Sequence, residues 1–379
     1  MKKIVVAADS FKGSLDSKSI ASAFSKAAEK SKGVLVVGFG VSDGGEGSVD
    51  ALAEGGGFQK RSAEVVGPTG ARVLAEYAVK NFTAAIETAE ASGLTLIPYS
   101  EHNALITTTY GTGELVMRAI GDGAREILLF AGGSATNDGG AGALSAMGFR
   151  FMDNSGAEFV PTGGTLKNIS TVKLPSDNSF SEVSFRVLSD VTNPLLGRFG
   201  ATYVYGPQKG ATEEDLEIME RGMENFSVVT KKATGVSLEN LSGAGAAGGL
   251  AGGMAAYLGA TIESGADYVL KLTGVLDEIK TADAVITGEG KIDSQTLSGK
   301  IVSKIAAAAK SSGVPLYGIA GTSELSENEL TDMGFSAVET LEKYATSRED
   351  SIVNAKKYLA MAAENLLVRI KGENENERK

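Results

Sequence analysis

Cysteine is absent from the 379 residues. That excludes a disulfide framework, a thiolate zinc site and a cysteine nucleophile. Tryptophan is absent as well, and aromatic residues make up only 6% of the chain, so an aromatic-rich β-sandwich core is disfavoured. The one histidine, His102, rules out a multi-histidine metal centre and leaves any Ser-His-Asp arrangement dependent on that single side chain. It follows Pro98 in a polar stretch and reads as an exposed loop residue. Positive charge is in deficit: 36 Lys and Arg against 47 Asp and Glu give a formal charge of −11, which argues against nucleic acid or an anionic membrane as partner. A few lysines and backbone N–H groups can still reverse the field locally. No apolar run reaches transmembrane length, and the opening MKKIVVAADSF is too short in its apolar part for a signal-peptide core. A cytoplasmic protein is expected. The phosphate-binding pattern G-x-x-x-x-G-K-[ST] is also missing: GEGK at 288–291 and the Lys300 region both lack it.

What is abundant is glycine, at 49 residues, in a chain that is 42% hydrophobic. Cores of Ala, Val, Ile, Leu and Gly suit close packing of helices on sheets. The N-terminal part reads as strand Ile4–Ala8, helix Ser17–Ser31 and strand Val34–Val41, a right-handed βαβ rhythm. The C-terminal part repeats it with strand Ala284–Thr287, helix Ile301–Ser311 and strand Val314–Ala320, and Glu349–Ile370 reads as one long amphipathic helix. Between them lie β-rich stretches at Val73–Phe82, Ala84–Thr88, Ser184–Val187 and Thr202–Tyr205, mixed with glycine-led helices. Neither end has enough strands to bury a sheet alone. The expectation is therefore α/β, with residues 1–65 and 282–371 completing one parallel-sheet domain, a second α/β domain of residues 66–281 inserted, and a frayed tail at 372–379. Two sequential domains meeting near residue 150 are the alternative.

The chemistry concentrates after the strands. Ile4–Ala8 is followed by DSFKGS, the second strand by SDGGEG, Ile127–Ala131 by GGSATNDGG, Phe185–Leu188 by SDVTNP, and Val285–Thr287 by GEGKID. Ligands of open α/β sheets bind outside the carboxyl ends of strands, and this composition is that of a phosphate and Mg²⁺ site. In GGSATNDGGAG, glycines allow close backbone approach, Ser134, Thr136 and Asn137 add donors, and the helix Gly140–Met147 would direct free N–H groups at an anion. A tight turn whose Asn137 or Asp138 caps its own helix is the competing reading. Asp190 can take Mg²⁺ or a substrate hydroxyl proton, or else open an Asx-turn. Asp293 can act as acid or base, or cap the turn Ser294–Leu297. Lys12, between Ser10 and Gly13–Ser14, suits an oxyanion. Lys209 in GPQKGA stands on a rigid turn, where a plain surface role competes closely. GAGAAG at 243–248 fits G-x-G-x-x-G literally but lacks a clear preceding strand, so small-residue packing at the start of a helix Ala246–Leu258 is favoured.

DSFKGS (9–14), SDGGEG (42–47), TTTYGTGEL (107–115), GGSATNDGG (132–140), DVTNPL (190–195), YGPQKGA (205–211), GAGAAGGL (243–250) and GEGKIDSQT (288–296) occur in this order. Together they closely resemble the bacterial glycerate kinase family that has no P-loop, over nearly the whole chain. The resemblance implies a flavodoxin-like domain with a second α/β domain inserted, and an active site in the cleft between them. It implies ATP-dependent phosphorylation of D-glycerate, with 2-phosphoglycerate favoured over 3-phosphoglycerate as product. On that reading the triphosphate meets Gly132, Gly133, Ser134, Thr136 and Asn137, with 243–250 as an auxiliary contact. Asp190 holds Mg²⁺; Ser10, Lys12 and Lys209 bind substrate; Lys12 pairs with the glycerate carboxylate or the transferring phosphate. Asp293 is the candidate base, with Asp190 its rival. Ser189 stands where Cys is expected and Tyr205 where Phe is common; neither change removes a charge. An oligomer is compatible with the sequence. A dinucleotide-dependent oxidoreductase of a small hydroxy acid and a non-catalytic small-acid-binding protein are the rival classes; the lysines and carboxylates at several strand ends argue against the second.

Overall fold

The computed structural model describes residues 1–376 apart from Lys12, Lys32, 177–179, Gln295 and 297–300. In chain order the strands are β1 (Lys2–Val6), β2 (Val34–Gly38), β3 (Gln59–Val66), β4 (Arg72–Lys80), β5 (Thr83–Glu87), β6 (Glu126–Phe130), β7 (Arg150–Met152), β8 (Glu158–Phe159), β9 (Thr171–Lys173), β10 (Ser184–Leu188), β11 (Thr261–Glu263), β12 (Ala284–Ile292), β13 (Leu316–Ser323) and β14 (Phe335–Thr340). The chain divides into two compact units, one of Met1–Asp43, Asp50–Gly57 and Ala266–Lys379, the other of Gly44–Val49 and Phe58–Gly265.

The first unit is built on a five-stranded sheet of order β14-β13-β12-β1-β2, parallel throughout. Numbered within the unit that is 2-1-3-4-5, the flavodoxin-like order, and both chain ends supply it. Ile4 and Val6 enter one apolar cluster while Val5 and Ala7 enter another. The period of two thus buries both faces, as a parallel sheet requires. The helix Ser17–Lys30 starts where Asp16 accepts from Ser19 N at 2.6 Å, and it buries Ile20, Ala21, Phe24 and Ala27 on one face. The C-terminal helical stretch is broken at Asn354 into Arg348–Val353 and Ala355–Asn376, not continuous as the periodicity suggests. Its second piece buries Leu359, Ala363, Leu366 and Ile370.

The second unit carries a six-stranded sheet of order β11-β10-β6-β5-β4-β3. β11, β10, β6 and β5 are parallel, and β4 and β3 extend it antiparallel. A small antiparallel sheet, β8-β7-β9, adjoins. The parallel strands are buried in runs, for instance Ile127–Phe130. Thr202–Tyr205, which reads as β from its branched and aromatic residues, is instead a short helix, Ala201–Tyr205. Val204 N donates to Gly200 O and Gly206 N to Thr202 O, so the surroundings override a strand propensity that is mainly a packing preference. Among the described residues no helix is long and apolar enough to cross a membrane.

Candidate active site

β6 delivers the chain to Gly132 at the carboxyl end of the parallel strands of the second unit. A Cβ at Gly132 would stand 2.3 Å from Gly45 Cα, so only glycine permits this approach of two backbones. From Ser134 to Asp138 the loop is buried. Lys209 reaches it from the 3₁₀ turn Pro207–Lys209 and is itself 2% exposed. Its Nζ donates to Ser134 Oγ at 3.0 Å and to Thr136 O at 2.7 Å. Burial pushes its pKa down to about 7, against the opposing pull of the Asp138 charge. The turn is locked by Gly210 at φ +84°, where a Cβ would meet His102 O at 2.1 Å. The surface-turn alternative for Lys209 is thereby excluded.

Thr136 Oγ1 and Asn137 Oδ1 are buried without hydrogen-bond partners among the described residues, while Asn137 Nδ2 donates to Thr202 Oγ1 at 3.2 Å. The Thr88 hydroxyl, just past β5 and next in the sheet to β6, is also buried and unpartnered. Native proteins leave few such groups, and a cluster of them marks a place where something binds.

The helix after the loop, Ala141–Ala146, does not offer the free N–H groups that the sequence suggests. Gly140 N and Gly142 N donate to the Asp138 carboxylate at 3.0 and 3.2 Å, and Ala143 N donates to Thr109 Oγ1 at 2.9 Å. Asp138 also accepts from Thr109 N and Oγ1, each at 2.8 Å. Burial raises its pKa and these bonds oppose the rise. Capping is therefore the task of Asp138.

Asp190 leaves the carboxyl end of β10, the neighbour of β6. Ala131 N donates to Leu188 O at 3.0 Å, so Gly132–Gly133 and Ser189–Asp190 emerge side by side. Asp190 is half-buried, and the local side-chain turn is closed by Ser189 Oγ, which accepts from Val191 N at 3.3 Å. Tyr205 donates its phenol to Asn193 Oδ1 at 2.7 Å. Each of the two departures from the family pattern therefore makes a hydrogen bond in this loop.

In the first unit, Ser10 N donates to Asp9 Oδ1 at 2.7 Å and Asp9 N to Gly288 O at 2.8 Å. This is the switch point between β1 and β12, where the strand order reverses. Lys12 lies outside the described residues. β12 does not stop at Thr287 but runs to Ile292, paired with β13 as far as Ser323. Asp293 thus stands five residues beyond Gly288, roughly 16 Å along an extended strand at about 3.3 Å per residue. Its Oδ2 lies 3.5 Å from Lys291 Nζ. The turn beyond it is held by the Asp293 backbone, whose N donates to Thr296 Oγ1 at 2.9 Å. Gln295 and Leu297 of that turn are not among the described residues.

Sequence reasoning missed Glu87. This buried residue closes β5 and accepts from Gly47 N at 3.2 Å and Val49 N at 2.7 Å, tying the SDGGEG loop to the sheet. The strand-end rule that found Asp190 would have found it. His102 is corrected from exposed to half-buried: Nε2 contacts Leu94 O and Ile97 O at 3.3 and 3.1 Å, and Nδ1 is buried. Among the described residues no group of three or more His, Cys, Asp or Glu could hold a metal by itself.

The 243–250 segment is packing. Gly245 would meet Pro194 O at 2.3 Å and Gly248 the Thr136 carbonyl at 2.0 Å if either carried a Cβ. The helix behind it starts at Leu250, not Ala246, and no strand precedes the glycines, so the dinucleotide fingerprint lacks its context and the oxidoreductase reading loses its support.

A family model described as the glycerate kinase family matches residues 4–371. Glycerate kinase of Bacillus subtilis (strain 168) is 40% identical over 373 residues, 97% of this chain and 98% of its own. Glycerate 2-kinase of Escherichia coli (strain K12) is 40% identical over 324 residues, 84% of this chain and 85% of its own. The crystal structure described as glycerate kinase 2 from Salmonella typhimurium LT2 superposes with a TM-score of 0.83 at 36% identity, covering 99% of both chains. A match that runs from residue 4 to residue 371, with relatives aligned along nearly all of their length, shows that the chain belongs to the glycerate kinase family and is a kinase, a phosphotransferase.

Proposed function

We propose that the chain transfers the γ-phosphoryl group of ATP to a hydroxyl of D-glycerate, favouring the 2-hydroxyl. The glycerate oxygen forms a bond to phosphorus as the β,γ-bridging bond breaks; ADP leaves, and the hydroxyl proton passes to a carboxylate. The observation that carries the reading is Lys209, buried against Ser134 and Thr136 beside polar atoms without partners. An anion brought there would supply the counter-charge that burial denies the ammonium. Gly132, Gly133, Ser134 and Thr136 would line the phosphate path, and Ser10 and Lys12 would take the acid. The name of the Escherichia coli relative favours the 2-position.

Mg²⁺ needs only one or two carboxylates besides the phosphates themselves, and a half-buried Asp190 at a strand's carboxyl end fits that demand. Bound there, the ion would neutralise charge on the phosphates. Asp293 and Asp190 both remain candidates for the proton. Asp293→Asn should lower kcat by about 10²–10⁴-fold with little change in the glycerate KM if it is the base. Asp190→Asn should raise the Mg²⁺ requirement and lower turnover. Wild-type kinetics in either variant would remove that residue from the mechanism. The direct experiment is phosphorus NMR and ADP release with MgATP and D-glycerate. Phosphoglycerate should form, with far less turnover on L-glycerate. ADP released equally fast without any hydroxy acid would make the protein an ATPase and overturn the reading.

A further inference from the structure

Lys209 brings charge to the Gly132–Asp138 loop without being open to a ligand. It comes in from the turn Pro207–Lys209 and is 2% exposed. Two of its N–H groups go to Ser134 Oγ and Thr136 O, at 3.0 and 2.7 Å. The loop opens to solvent elsewhere, at the exposed Gly133 and the half-buried Gly132. Among the described residues no acceptor takes the backbone N–H of either glycine. Ser134 belongs to both sides: its oxygen is bonded to the lysine, and its backbone adjoins Gly133.

The Lys209–Ser134 contact has one direction. An ammonium carries three donors and no lone pair, whereas a hydroxyl has one hydrogen and two lone pairs. Facing Lys209, Ser134 can only accept, and its own hydrogen must turn away from the lysine. Among the described residues the Lys209 contact is the only hydrogen bond that Ser134 Oγ makes. The carboxylate on the same loop does not take that hydrogen, because Asp138 accepts from Thr109, Gly140 and Gly142. What remains is an unused O–H with a positive charge directly behind its oxygen. Linked hydrogen bonds polarise one another, and more so where water is excluded, so the ammonium strengthens Ser134 as a donor. Such a group suits an oxygen that carries charge and has no proton of its own, as a phosphoryl oxygen does.

We propose that Ser134 is a catalytic hydroxyl that donates to an oxygen of the phosphoryl group in transfer, and that Lys209 is its positioning residue. The lysine directs and polarises the O–H from behind and does not touch the ligand. Thr136 O takes a second N–H of the ammonium and fixes where it stands. The inference rests on the reading of this loop as the phosphoryl-transfer site.

The test is a double-substitution cycle on the full chain, following phosphoglycerate formation with MgATP and D-glycerate each varied, and unfolding midpoints alongside. Ser134→Ala should lower kcat about 10²–10³-fold, the usual loss for one donor to transition-state charge, and leave both KM values within about threefold. Lys209→Met should lower kcat by a similar factor. Added to Ser134→Ala, it should cost no more than about threefold further, because the two act in series. Ser134→Thr keeps the hydroxyl and should recover most of the lost activity, which a merely structural serine would not require. If Lys209→Met does not fold, Lys209→Gln takes its place: its amide oxygen can accept the Ser134 proton, so it should match Ser134→Ala. A double variant that falls by the product of the two single losses would overturn the inference, since the lysine would then act on the ligand itself. So would wild-type kcat in Ser134→Ala while the Lys209 variant is impaired; the loop would still be the site, but not through Ser134. If both single variants turn over like wild type, the reading of the loop falls, and the inference with it.

Discussion

Two glycine-rich segments of the second unit, Ala131–Gly140 and Gly243–Gly253, look alike on paper and serve opposite ends. In the later segment the glycines are spacers: Gly245, Gly248 and Gly253 would each place a Cβ within 2.3 Å of a backbone oxygen, and no polar side chain stands among them. In the earlier one Gly132 makes a similar close approach, but the residues that follow bury a hydroxyl and an amide oxygen without partners, and a lysine beneath them. The difference lies in unmet polar groups, not in glycine content. Close packing needs glycine because any side chain clashes; a ligand cradle needs glycine and also donors and acceptors left unpaired by the protein.

The largest effect that can break this comparison comes from the packing segment. Gly248 has φ +65° and lies against Thr136 O, whereas Gly259 has φ +67° with nothing within 4 Å of its would-be Cβ. Gly248→Val should cost on the order of 3 kcal/mol or more, from strain plus overpacking. Gly259→Val should cost only the backbone strain. Urea unfolding of the pair separates the two contributions, and equal losses would mean that Gly248 is not a steric contact.

Next in size is the cradle itself. Thr136→Val keeps the shape and removes a hydroxyl that has no hydrogen-bond partner among the described residues. Catalytic efficiency should fall about tenfold while the unfolding midpoint stays or rises, since an unpaired buried hydroxyl destabilises the fold. A fall in stability with unchanged kcat/KM would class the loop with the packing segment.

The smallest effect is the pH dependence of stability. Burial holds the Lys209 pKa down at about 7, against the 10.5 of an exposed lysine. Between those values the unfolded chain holds a proton that the folded chain has released. Stability therefore rises with pH across that window, and the penalty for burying the charge is present in full below it. Unfolding midpoints from pH 7 to 10 should show this upward component in the wild type and lose it in Lys209→Met.

Much of the frame was legible because it rests on local pattern. Ile4–Ala8 and Ile127–Ala131 are short apolar runs ended by Asp or glycine, and Phe185–Leu188 is a mostly apolar stretch followed by Ser189 and Asp190; the rule that ligands gather at strand carboxyl ends led from them to Asp190 and the 132–137 loop. What escaped depends on partners distant in sequence. Nothing in GPQKGA says that Lys209 turns inward, since that follows from Gly210 lying against the His102 backbone. Of the helix N–H groups, Ala143 N looked free because Thr109, which takes it, is 34 residues away; the capping of Gly140 N and Gly142 N by Asp138 is local and was the competing reading of the sequence. The run of β12 past Thr287 to Ile292 was hidden by its two glycines, which lower strand propensity but are carried by pairing with β13. Glu87 was overlooked because the strand ending in it was read one residue long, to Thr88.

The central claim is that a lysine buried beneath unpartnered polar atoms makes the Gly132–Asp138 loop a phosphoryl-transfer site. It is tested most directly by following phosphoglycerate formation from MgATP and D-glycerate in wild type and Lys209→Met, with unfolding midpoints measured at the same pH. The account predicts a loss of about 10²-fold or more in kcat/KM, as for removal of a charge-stabilising group from a transition state, in a variant that remains folded. A Lys209→Met protein that folds and turns over within about threefold of wild type, well short of that range, would contradict it.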